Sequence, residues 1–118
     1  MKNLKILFLI ILIGFSSLAK IGCKKCKGED PEIRVINNSP SYVDVQINTS
    51  DKKTISINNI ASGTTSTYYS LSAGQIVYTV TLRYVEHIKT DHVSQCYDYD
   101  IIIDENNKIT IMATDRNL

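Results

Sequence analysis

Glu86–His87–Ile88–Lys89–Thr90–Asp91–His92 holds both histidines of this 118-residue chain, with two carboxylates beside them. Imidazole and carboxylate are ligands for an ion such as zinc, so His87, Asp91 and His92 are the candidates for a small metal-dependent hydrolytic centre. On a strand the odd offset would put His87 and His92 on opposite faces, so convergence on one ion requires a loop. The plainer reading is a solvated loop between two long strands, with no metal bound. Asp98 and Asp100 share a strand face, as a general acid and base would, but the plainer reading, with no cleft indicated beside them, is solvated acids on an outward face. The serines lack a Gly-x-Ser-x-Gly elbow and any convincing Ser/His/Asp order. Cys23–Lys24–Lys25–Cys26 has the spacing of a redox or metal CxxC. A redox pair opens a helix in a βαβ unit, and a zinc site needs two further ligands at short spacing; neither context follows. The chain therefore reads as non-enzymatic, with no cofactor.

The residues before Cys23 read as an export signal. Lys2 and Lys5 make a positive start, Ile6 to Ile13 is unbroken apolar sequence, and Gly14–Phe15–Ser16–Ser17–Leu18–Ala19 relaxes into small residues. The apolar run is too short to span a bilayer, which takes about 20 residues. A signal helix over residues 1–22, a flexible linker over 23–31 and a folded domain over 32–118 is the expected organisation.

Lys20–Ile21–Gly22–Cys23 resembles the lipobox of bacterial lipoproteins, in which a small residue precedes a cysteine that becomes acylated and then N-terminal. The resemblance implies lipidation of Cys23, a membrane anchor made of acyl chains, and a domain facing the periplasm or the exterior. Lys20 stands where that family usually carries an aliphatic residue. A second reading therefore uses Ser17–Leu18–Ala19 as a small-x-small site, cut after Ala19 to release a soluble secreted protein. Lipidation would leave two of the three cysteines, Cys26 and Cys96, free to pair in an oxidising compartment. The other possibilities are the Cys23–Cys26 pair already described, or free thiols.

Charge excludes one class of partner. Removing Lys2, Lys5 and Lys20 takes Lys+Arg from 13 to 10 against 12 acids, so the exported chain is near −2. No basic patch of the kind nucleic acid requires is present. Lys24, Lys25 and Lys27 flank the lipid site and suit anionic headgroups. About 96 residues remain from Cys23 onward, enough for one small domain.

The elements that must carry these side chains are strands. Val43, Val45 and Ile47 alternate with Asp44 and Gln46, and Ile55 and Ile57 with Thr54 and Ser56. Ile76, Tyr78, Val80, Leu82 and Tyr84 form one face of the longest run, and Tyr97, Tyr99, Ile101 and Ile103 one face of the next. Ile33/Val35, Tyr69/Leu71 and Ile109/Ile111/Ala113 complete the set. Asn37–Ser41, Thr49–Asp51, Ala61–Gly63, Ser72–Gly74 and Asp104–Asn107 carry turn chemistry. No segment after the signal has a helical stripe. The pattern predicts an all-β fold, a single antiparallel β-sandwich (immunoglobulin-like or transthyretin-like) of about seven strands. Arg34 and Asp44 are expected to pair across neighbouring strands, and Gly74 to supply a positive φ.

Arg34–Val35–Ile36–Asn37–Asn38–Ser39–Pro40, then Val43–Asp44–Val45, resembles the opening of a family of small bacterial envelope domains. Leu71–Ser72–Ala73–Gly74–Gln75, then Tyr78–Thr79–Val80, is similar to that family's Leu-x-Ala-Gly turn and Tyr-Thr-Val strand. The resemblance covers residues 32–85. It implies a β-sandwich in a lipoprotein or surface repeat, without established catalytic activity, and it transfers no active site.

Tyrosine is the one enriched aromatic: seven, against two phenylalanines and no tryptophan. Tyr68, Tyr69, Tyr78, Tyr84, Tyr97 and Tyr99 fall on or next to strands. Their rings can fill a small core, or line a surface that grips an envelope protein or glycan.

Overall fold

The strict two-residue alternation of Val43–Asn48, with every odd residue buried and every even one exposed, is one wall of a core enclosed by two sheets. A computed structural model describes residues 25–118; the signal segment and Cys23 lie outside the described residues. Nine strands follow one another: β1 Glu32–Asn37, β2 Val43–Asn48, β3 Thr54–Ile60, β4 Thr64–Thr65, β5 Tyr69–Ser70, β6 Gly74–Leu82, β7 Val85–Val93, β8 Tyr97–Ile103 and β9 Ile109–Asp115. One sheet has the order β3-β2-β6-β7. The other runs β4-β1-β8-β9, with β5 also on β1. No helix occurs among the described residues, and the all-β sandwich expected from the alternation is the fold.

The core is aliphatic. Ile33, Val35, Ile101 and Ile103 from one sheet meet Val45, Ile47, Ile76 and Val80 from the other, all fully buried. At about 1.5–3 kcal/mol for each fully buried side chain, this layer is the main favourable term in folding.

Pairing is antiparallel except between β1 and β8, which run parallel with Arg34 beside Asp100 and Val35 beside Ile101. That pair corrects the expected Arg34–Asp44 contact. β1 and β2 are consecutive but lie in different sheets, so Arg34 reaches Asp100 instead, with Nε 2.8 Å from Oδ1. Asp44 has another task. Its Oδ1 accepts the backbone N–H of Asn59 at 2.7 Å, where the β2–β3 register shifts between Val43 and Val45 and Asn59 takes a φ of 57°.

Two strands, β4 and β7, exceed the expected seven. The larger correction concerns β7. Glu86–His92, expected as a loop, is a strand paired along its whole length with β6. The apolar run expected to continue through Tyr84 ends at Leu82, and the chain reverses on Arg83 and Tyr84 alone. Neither residue is a usual turn former, which is why the hairpin was hidden. Gly74 does take a positive φ, 132°, and a Cβ there would stand 2.7 Å from Ser50 Oγ.

The crossing from β1 to β2 is fixed by a buried amide. Asn37 Nδ2 donates to the carbonyls of Ser41 and Ile60, each at 2.8 Å. Its Oδ1 accepts from Ser39 N–H at 3.0 Å and from Ser39 Oγ at 2.6 Å. Pro40 follows with a fixed φ and no donor to satisfy. A buried amide with four partners is costly to remove, because each orphaned group carries its own desolvation penalty. Asn37→Ala is expected to lower stability by about 3 kcal/mol in urea unfolding; a loss below about 1 kcal/mol would show that the corner holds without it.

Candidate binding site

The sandwich has two chemically different ends. At the first, the chain enters. Cys26 is bonded to Cys96, Cα to Cα 5.7 Å. Cys26 N–H donates to Asn117 Oδ1 at 2.8 Å, and Cys96 N–H to the Glu29 carbonyl at 3.0 Å. Arg116 gathers the same region. Its Nε lies 2.8 Å from Asp98 Oδ1, its Nη2 donates to the Asp30 carbonyl at 3.0 Å, and Glu29 and Glu32 stand 3.6 Å away. Of the segment 23–31 expected as a linker, the described part from Cys26 onward makes these contacts with the domain. Of the pairings left open by the sequence, Cys26 with Cys96 is the one formed.

Beside this entry lies a polar cleft of about 260 Å³, with Asp30, Asp51, Lys53 and Ser72 in its walls. Asp51 organises it. Its carboxylate accepts hydrogen bonds from Thr49 Oγ1 and, at 2.9 Å, from Ser72 Oγ. The bond from Thr49, then that from Ser72, holds the carboxyl below its ordinary range. The carboxylate thus joins the β2–β3 turn to the approach of β6, a structural duty.

The histidines do not converge. Register sets His87 opposite Val80 and Asp91 opposite Ile76, on the core-side face of β7, while His92 opposes Gln75 on the other face. Among the described residues no three metal-capable side chains gather. Asp98 and Asp100 do share a face of β8, and each already holds an arginine, Arg116 and Arg34.

The second end, across the roughly 26 Å that β6 spans at strand rise, is where side chains remain uncommitted. Leu82 pairs with Val85, which leaves Arg83 and Tyr84 as a two-residue loop. Both have positive φ, 49° and 69°, the backbone of a type I′ hairpin that normally calls for Asn-Gly. Tyr84 is fully exposed. Val43 opposes Leu82 at the start of β2 and is buried, so Tyr42, one residue earlier, is turned outward at 66% exposure. Between the two tyrosines opens a cleft of about 290 Å³, completed by Ser41, Asp44, Thr81 and Arg83. The Ser41 hydroxyl is the one buried side-chain polar atom without a hydrogen-bond partner among the described residues.

The tyrosines thus divide by task. Tyr78 and Tyr99 are core, Tyr69 and Tyr97 pack against it, and the Arg34 guanidinium sits 4.6 Å from the centre of the Tyr68 ring. Tyr42 and Tyr84 have no such employment. Sequence reasoning missed Tyr42 and Arg83 as site residues. The only signal for Tyr42 was an aromatic between a Ser-Pro turn and a strand.

No family model matches the chain, and no curated protein matches it. Among solved structures, the chain is similar to "NMR structure of the protein from Eubacterium rectale", at 19% identity and a TM-score of 0.46, over 78% of this chain and 95% of that one.

Two outcomes follow from this geometry. Replacing Arg83–Tyr84 by Asn–Gly should raise stability by about 1–2 kcal/mol in urea unfolding, since a left-handed backbone costs a bulky residue and suits the new pair. The carboxyl of Asp51, lower in the folded chain than in the unfolded one, stabilises above its ordinary value near 4, and that stabilisation is lost as pH falls through the folded value. In Asp51→Asn the urea midpoint should therefore fall less between pH 5 and pH 2 than in the unsubstituted protein, measured in parallel series.

Proposed function

We propose that this chain is a membrane-anchored lipoprotein of the bacterial cell envelope, its β-sandwich a non-catalytic binding module held to lipid by acyl chains on Cys23. The observation that supports this reading is the polarity of the fold. The chain enters at the end clamped by Cys26–Cys96 and Arg116, and the uncommitted tyrosines stand at the opposite end. An anchor before the first end turns the second away from the bilayer, toward envelope proteins or glycans.

The disulfide shortens the tether. Only Lys24 and Lys25 separate Cys23 from Cys26, a reach of about 10 Å when extended. The domain would stand against the headgroups, with Lys25 and Lys27 exposed beside them. Its reach into the envelope comes from the length of the sandwich. One acyl chain gives marginal binding and several make it durable, so the mechanism is retention plus display. The resemblance of the β1–β2 and β5–β6 segments to small envelope domains agrees with such a role.

Intact mass of the membrane-extracted protein tests the proposal. A mature N-terminus at Cys23 carrying acyl mass, with a gain of about 2 Da on reduction of one disulfide, is the expected result, and Cys23→Ala should move the chain to the soluble fraction. An unacylated chain beginning at Lys20 would overturn the anchor in favour of a soluble secreted binding protein cut after Ala19.

A further inference from the structure

We infer that the cleft between Tyr42 and Tyr84 is a saccharide-binding site that takes one or two rings of a neutral glycan. The inference rests on the reading of the domain as a binding module and deepens it by assigning the site and the ligand class.

Size comes first. The cleft, about 290 Å³, is at the lower end of small-ligand sites, which run from about 300 to 1,000 Å³. A pyranose unit is a ligand of this scale.

The chemistry of the walls selects within that scale. Tyr84 is fully exposed and Tyr42 two-thirds exposed, so each offers a ring face to a flat apolar surface while its hydroxyl stays wet. The C–H face of a sugar ring is such a surface. Around the rings stand a guanidinium with donors only, a carboxylate with acceptors only, and the Thr81 hydroxyl that does both. Asp44 has one oxygen on Asn59 N–H, which fixes its carboxylate for the cleft. A sugar's ring of hydroxyls, each donor and acceptor, matches this mixed set. One cation and one anion leave the cleft near neutral, a poor match to a phosphate or a polyanion, for which several cations would be needed.

Backbone geometry adds the reason for placing bulky residues here. Arg83 and Tyr84 both occupy left-handed φ in a turn that Asn-Gly would form without strain. Positive φ also occurs at Lys52, Asn59, Cys96 and Asn107, but among the described residues only here do two such residues stand in succession, both of them lining a cleft. The two-residue turn sets where the Tyr84 backbone stands at the rim of the cleft.

Binding is tested on the full chain purified from membranes in detergent. It is sedimented with isolated peptidoglycan sacculi and titrated calorimetrically with soluble gluco-, xylo- and chito-oligosaccharides of four to six units. The expected result is saturable binding to at least one of these. Tyr84→Ala and Tyr42→Ala should each weaken it about tenfold or more, and Tyr84→Phe should keep it, since the ring and not the hydroxyl stacks. Pull-down by sacculi alone would identify the source as the cell's own wall, and binding of soluble oligomers alone would identify a free glycan. No binding to any of these probes by a protein with an intact unfolding transition would overturn the assignment, as would binding that both alanine variants retain. A Tyr84-dependent protein partner without saccharide binding would overturn it too. Acylated protein that binds no saccharide leaves the anchor standing, and unacylated protein that binds one leaves this site standing, so the two failures are distinguishable.

Discussion

The fold depends on the corner between Asn37 and Ser41, where the chain leaves one sheet for the other. Both edges of β1 are taken, by β8 on one side and by β4 and β5 on the other, and the chain crosses to the other sheet within the five residues before β2. A crossing that short buries backbone groups away from any ladder, and they must be satisfied locally. The Asn37 amide does this by binding both ends of the corner and, through the Ile60 carbonyl, the end of β3. The Ser62 hydroxyl adds a bond to the Ser39 carbonyl at 2.5 Å. The same corner sets the site. It delivers Val43 to the core and therefore Tyr42 to the rim, while the β2–β6 register brings the Arg83–Tyr84 turn alongside.

The opposite end is held by a covalent constraint. Closing a loop across a sequence separation of 70 removes chain entropy from the unfolded state, worth about 4 kcal/mol in the loop-closure account. For a small domain that is a large share of a total stability of about 5–15 kcal/mol. Arg116 works with the disulfide, because its bonds to Asp98 and to the Asp30 carbonyl tie the chain's entry, β8 and the segment after β9 at one point. Since Arg116 is mostly buried with three carboxylates around it, its charge is offset locally. Both ends are thus closed, one by a neutral amide and one by a bridge and a guanidinium.

What the sequence made legible was the alternation. Val43–Ile47, Ile76–Leu82 and Tyr97–Ile103 each show period two because one face is buried, and those faces are the core. The Ser72–Gly74 turn was legible for the same kind of reason, since only glycine suits its φ beside Ser50. The unreadable parts all involve a competing interaction. The parallel β1–β8 pair joins residues 66 apart, a distance over which local pattern is silent. The Arg83–Tyr84 turn carries no turn residue, so the apolar pattern ran through it. Tyr42 shows no periodicity at all, because its exposure comes from the corner before it and not from a strand.

β7 shows how chemistry-bearing residues can serve the fold instead of a reaction. It is the outer strand of its sheet, nine residues long and without proline, the kind of edge that invites pairing with another chain. Its core-side positions, opposite Ile76, Tyr78 and Val80, hold Asp91, Lys89 and His87, where the rest of the sheet has aliphatic or aromatic side chains. Charged and polar side chains along an outer strand discourage pairing with another chain. Their spacing follows the pleat of the strand, two residues apart, and not the convergence that a metal would require. The histidine, lysine and aspartate of this strand are in keeping with its place at the edge. The hairpin closes on Arg83 and Tyr84, both at positive φ, so its turn carries a strain that an Asn-Gly pair would lack.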